Sequence, residues 1–159
     1  MTKHLLILTA LYLLFAIPLS VIDWRKFRVS AVFPLIALAA LFVARLLLSK
    51  TLLPVLQMTA LSLATSLLLF FCVEVFTGDW LGFDDICFGA CTAVYCGFYD
   101  NLVAAAFAAL IGVLFYLSSA AMQKLKKNTV VFRPVFAIPI MPFVTSGAVL
   151  TKLLFYVIA

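Results

Sequence analysis

The chain has 159 residues, 67% of them hydrophobic and only 11% charged, with a mean hydropathy of +1.29 and a net charge of +5. A soluble domain carries about 25% charged residues, so the composition excludes an ordinary globular domain and points to a single-domain, all-α polytopic membrane protein. The positive charge does not make a nucleic-acid face: Lys and Arg fall in short clusters between apolar runs, a distribution suited to anchoring at a lipid bilayer.

A spanning helix needs about 20 apolar residues at about 1.5 Å rise each, and on that ruler the chain is expected to hold six transmembrane helices. The first covers Leu5 to Ile22 and ends in Asp23-Trp24-Arg25-Lys26. That ending lacks a small-residue cleavage site, so a retained span is expected rather than a signal peptide. The second runs from about Ala31 to Leu48, and the third from Leu52 to about Phe76 with Glu74 near its end. The fourth begins between Asp79 and Asp85 and ends near Tyr99. A start after Asp85 leaves about 14 residues, short for a span. A start near Asp79 places Asp85 more than a turn inside the helix. The fifth covers Leu102 to Met122, and the sixth about Val135 to Ile158, with Pro139 and Pro142 expected to kink it.

Basic residues in alternate loops set the orientation. Arg25, Lys26, Arg28, Lys124, Lys126, Lys127 and Arg133 lie on one side, against Lys3, Arg45, Lys50 and Lys152 on the other. The first, third and fifth loops are therefore expected in the cytoplasm. Asp23 and the Asp84-Asp85 pair then share the cytoplasmic face, although the charge count made no use of them.

Charged groups at membrane depth are costly and read as functional until a partner explains them. Asp100 and Asp79 are expected as helix N-caps, and Glu74 as an acid reaching a loop cation or the interface. Cys72, Cys87, Cys91 and Cys96 form no CxxC pair and are read as buried small residues, with no metal site expected. Asp23 and Asp85 remain as candidate catalytic residues. Two carboxyl groups sharing one proton can hydrolyse a peptide bond: the ionised one takes a proton from water while the protonated one polarises the scissile carbonyl. Asp23 ends one helix and Asp85 begins another, so on the helix dipoles alone Asp23 is expected to hold the shared proton.

At these residues the chain resembles the type IV prepilin leader peptidases, the GxGD-type membrane aspartyl proteases. The family's first aspartate stands in a pattern like D-x-x-x-x-x-I-P-N, and Asp23-Trp24-Arg25-Lys26-Phe27-Arg28-Val29-Ser30 occupies that place. Its second closes a G-x-G-D-x-K-L segment, matched by Gly82-Phe83-Asp84-Asp85-Ile86-Cys87-Phe88. An I-P-x-x-P-F element of the last span is matched by Ile138-Pro139-Ile140-Met141-Pro142-Phe143. The chain departs from the pattern where Asp84 replaces the second glycine, Cys87 the lysine and Ser30 the proline. The resemblance implies an endopeptidase that removes the basic leader of prepilin-like membrane substrates at the cytoplasmic face of the inner or plasma membrane, with Asp23 and Asp85 as the dyad. No cofactor or metal is implied. With no domain carrying two CxxC pairs, a short peptidase-only form without methyl transfer is expected. Asp84 is either the neighbour of the working acid or the working acid itself. The competing readings are a small transporter or channel subunit using the acids for cation or proton coupling, and a catalytically impaired relative acting in pilus or secretion assembly.

Overall fold

The computed structural model describes residues 3–26, 29–49, 51–77, 82–125 and 140–158. Arg28, Asp79, Lys126, Lys127, Asn128, Thr129, Arg133, Ile138 and Pro139 lie outside these residues, as do the side chains of Glu74 and Lys124.

Six helices make up the described residues: α1 (Lys3–Lys26), α2 (Val32–Leu48), α3 (Leu52–Thr77), α4 (Phe83–Cys96), α5 (Phe98–Leu125) and α6 (Ile140–Ile158). Three of them are long and apolar enough to cross a membrane: α1, α3 over Leu52–Val73, and α5 over Phe98–Phe115. α2 and the Ile140–Phe155 part of α6 are shorter apolar helices. The bundle is apolar on its outside as well as within. Leu14, Leu68 and Leu114 are each more than half exposed, whereas Thr59, Ser62, Ser66, Thr92 and Thr151 are buried. A surface so apolar is suited to lipid and would associate in water.

α4 is the centre of the bundle and touches all five other helices. Cys87 through Cys96 are buried without interruption, the signature of a helix surrounded on every side. Its small residues permit this: a Cβ on Gly89 would meet the Phe70 ring of α3 at 2.0 Å. Its few polar groups find partners in neighbouring helices. Thr92 Oγ1 and Tyr12 Oη of α1 lie 3.0 Å apart, as do Tyr95 Oη and Thr9 Oγ1, and the Cys91 thiol donates to the Pro34 carbonyl of α2. The Tyr12 and Tyr95 rings stack at 4.2 Å between them.

α4 begins at Phe83 with Gly82 as its cap, so both aspartates fall in its first turn rather than deep inside it. At 14 residues it rises only about 21 Å, less than the roughly 30 Å of a bilayer core. It ends at Gly97, whose φ of 83° a side chain would resist. The far end of α4 is held by cations from other helices. Arg45 of α2 donates to the Val94 carbonyl, and Lys152 of α6 donates to the Cys96 carbonyl at 3.0 Å and to Asp100 at 2.5 Å.

Three expectations need correction. Asp100 is not the cap of α5: it lies in the first turn, paired with Lys152, while the Gly97 carbonyl accepts the Asn101 N–H at 2.9 Å. Cys72 is exposed, unlike the other three cysteines. Pro142 does not kink a helix interior. It is the third residue of α6, where its missing N–H would have had no intrahelical partner anyway.

Candidate functional site

Asp23 and the Asp84-Asp85 pair lie within electrostatic reach of one another at one end of the bundle. Asp23, in the last turn of α1, is 5% exposed. Its Oδ2 accepts the backbone N–H of Met141 at 3.0 Å, and the Ile140 amide is also directed at this carboxyl group. These are the first two residues of α6, whose opening N–H groups have no carbonyl of their own to bond. The first described residues of the last helix are therefore held by Asp23. The site includes the Ile140-to-Phe143 part of the last-span element, with Met141 fully buried and Phe143 packed on Phe115 at 5.5 Å.

Asp85 occupies the N3 position of α4. Its backbone N–H donates to the Gly82 carbonyl at 3.0 Å, and its Oδ2 accepts the Gly82 N–H at 3.1 Å. This reciprocal pair fastens the start of the helix and fixes the carboxyl group close to its own backbone. Asp84 reaches the other way, its Oδ2 accepting the Val29 N–H at 3.2 Å in the connection between α1 and α2. A Cβ at Gly82 would stand 2.1 Å from Asp84 Oδ1, so the first glycine of the motif makes room for this carboxylate. From the sequence, Asp84 is expected as the electrostatic neighbour of the working acid or as the working acid itself. It also ties the start of α4 to the segment that follows Asp23, and no spacing rule could have revealed that bond.

The charge of Asp84 acts on both Asp23 and Asp85, and that of Asp23 acts on Asp85. Asp23 and Asp85, from two helices, are thus both within electrostatic reach of Asp84. The expectation that Asp23 holds the shared proton loses its basis here. It counted only the negative end of α1, whereas the positive end of α6 also faces Asp23.

A groove of about 440 Å³ runs between α1 and α6 beside Asp23, lined by Ser20, Trp24, Arg25, Pro142, Thr145 and Ser146 among others. Ser20 and Thr145 hydrogen-bond to each other across it at 2.9 Å. The groove offers hydroxyls and a guanidinium one residue or more from Asp23 in sequence, while none of the three aspartates lines it. Among the described residues, no cluster of three or more His, Cys, Asp or Glu is arranged to hold a metal ion.

The Asp100–Lys152 pair lies at the other end of α4, apart from this site. A lysine inside an apolar run was the signal for it, since such a residue needs a counter-charge. Comparison of the chain with known protein families, with characterised proteins and with solved structures finds no match in any of the three.

Proposed function

We propose that the chain is a membrane aspartyl endopeptidase of the prepilin leader peptidase type, acting at the cytoplasmic face of the inner or plasma membrane. In this reading all six helices cross or enter the bilayer, and the basic clusters keep the aspartate end in the cytoplasm. The substrate is a prepilin-like membrane protein whose short basic leader is cut off.

The observation that carries the reading is the meeting of Asp23 with the Asp84-Asp85 pair. These residues are more than sixty positions apart in sequence, yet Asp84 acts on Asp23 and Asp23 on Asp85. In this reading two of the carboxyl groups share one proton and titrate as a pair. The ionised member takes a proton from water, and the resulting hydroxide adds to the scissile carbonyl carbon. The protonated member gives its proton to the carbonyl oxygen. Collapse of the tetrahedral intermediate breaks the C–N bond, and the proton taken from water passes to the leaving amine. The groove between α1 and α6 would receive the extended segment that must be presented for this attack.

Asp23 and Asp85 form the dyad, by register with the resembled motif. A specific observation supports the neighbouring assignment: Asp85 is engaged with the Gly82 backbone, while Asp84 is the acid that bonds across to the α1–α2 connection. The two are separated by cleavage of a prepilin-like substrate by bilayer-reconstituted wild type, Asp23→Asn, Asp84→Asn and Asp85→Asn. Loss of a general acid or base lowers the rate by roughly 10²–10⁴-fold. That loss in Asp23→Asn and Asp85→Asn supports the dyad. The same loss in Asp84→Asn with Asp85→Asn active moves the second acid by one position. Full cleavage by Asp23→Asn overturns the proposal.

A further inference from the structure

One cavity among the described residues is separate from the carboxyl groups. It lies among α3, α4, α5 and α6, has a volume of about 580 Å³, and is almost wholly apolar. Small residues of α5, among them Ala105 and Gly112, leave the space open. Two of its lining residues do not fit an empty apolar hole. Ser66 of α3 and Asn101 of α5 are 3% and 5% exposed, and neither side chain hydrogen-bonds to any described residue. They differ from Thr59, whose Oγ1 is fully enclosed, because they border the cavity. Burying an amide and a hydroxyl without partners is costly, and more so where lipid rather than water surrounds the protein.

We infer that this cavity is a binding site for a single aliphatic chain bearing a carbonyl oxygen, that is, a lipid acyl chain. Size excludes a helix as the guest. One helical turn with its side chains is about 10 Å across and 5.4 Å tall, roughly 400 Å³, so the cavity holds little more than one turn. A linear chain fits, and the apolar walls leave no network of polar groups that would retain water. Hydrogen bonding selects the rest. The Asn101 amide brings two N–H donors and a carbonyl acceptor, and the Ser66 hydroxyl both donates and accepts, so a guest with acceptor oxygens satisfies the donors and a protonated carboxyl group satisfies both kinds. The ester or carboxylate oxygens of an acyl lipid are acceptors available at the edge of a bilayer core. This site does not depend on the peptidase reading, and its occupancy is measurable without any activity.

The test uses bilayer-reconstituted full-length protein and two photoactivatable probes, a diazirine-bearing fatty acid and a phosphatidylcholine with the same group in one acyl chain. Labelled residues are mapped by mass spectrometry, with and without excess unlabelled fatty acid. Saturable labelling is expected on the faces of α3 and α5 around Ser66 and Asn101. Asn101→Leu removes the amide and should lower it about fivefold, the size of one net hydrogen bond. Ala105→Phe places a ring in the cavity from an exposed position, which spares the fold, and should abolish it. Capture of the fatty acid alone identifies a free acid as the guest, and capture of the phospholipid identifies a bilayer chain. Labelling spread evenly over the exposed faces of α1, α3 and α5 and unchanged in both variants overturns the inference.

Discussion

Gly147 of α6 lies far from the carboxyl groups, yet its substitution should reach them. A Cβ there would stand 2.3 Å from the Ala104 carbonyl oxygen and 2.9 Å from the Ala108 nitrogen, both backbone atoms of α5. Backbone cannot rotate aside as a side chain can. Ordinary contact begins at 3.4 Å, so Gly147→Ala must part the two helices by about 1 Å (3.4 minus 2.3). Replacing glycine by alanine inside a helix normally gains about 0.5–1 kcal/mol. Overpacking a close interface costs about 1–3 kcal/mol, and with two backbone atoms in the way the clash wins by about 1–2 kcal/mol. For a chain of this size that lowers Tm by about 2–8 °C. The same displacement draws the Met141 N–H away from Asp23, to which it now donates at 3.0 Å, so cleavage should fall as well. Gly112→Ala is the control: its Cβ would meet only the Phe143 ring, at 3.8 Å, and Tm should hold or rise. The assay is thermal unfolding of both variants in one detergent, followed by tryptophan fluorescence. A Gly147→Ala protein as stable as Gly112→Ala would refute the reasoning.

At the other end of α4, Lys152→Met should destabilise the protein by about 1.5–3 kcal/mol, because Asp100 and the Cys96 carbonyl lose a charged donor. The double change Lys152→Met with Asp100→Asn should recover part of that loss, and equal stability of single and double variants would show the pair to be idle. At the site, Asp85→Ala should cost about 1 kcal/mol through its bond to Gly82, while Asp85→Asn keeps an acceptor there and should leave Tm nearly unchanged. Equal melting of the two would mean the cap contributes nothing. The pH dependence of cleavage should be bell-shaped, since one carboxyl group must be charged and another neutral. A rate that only rises or only falls across the range would argue against a shared proton.

Much of the helical plan was legible because apolar run length is a direct physical requirement of a membrane span. The run from Leu5 to Ile22 is the body of α1, and Gly97 and Gly82 mark where α4 ends and begins. The proximity of Asp23 to Asp84 and Asp85 could be anticipated because loop charges and apolar run order led to the expectation that they share one side of a bilayer. Individual contacts were hidden. The Met141 N–H on Asp23, the Val29 N–H on Asp84 and the Lys152–Asp100 pair join residues 50 or more positions apart. No periodicity encodes such pairs, which exist only once the helices have packed. Asn101 illustrates the same limit: in sequence it is a polar residue at a helix start, and only the packed bundle places its amide against an apolar cavity.

The central claim is that carboxyl groups of α1 and α4 act as one catalytic unit. The most direct measurement is a double-mutant cycle on cleavage of a prepilin-like substrate, with Asp23→Asn, Asp85→Asn and the two combined. Groups that work as a unit give strongly non-additive losses, so the double variant should retain the same residual rate as either single one. Losses that multiply would mean that the two aspartates act independently, and would contradict the account.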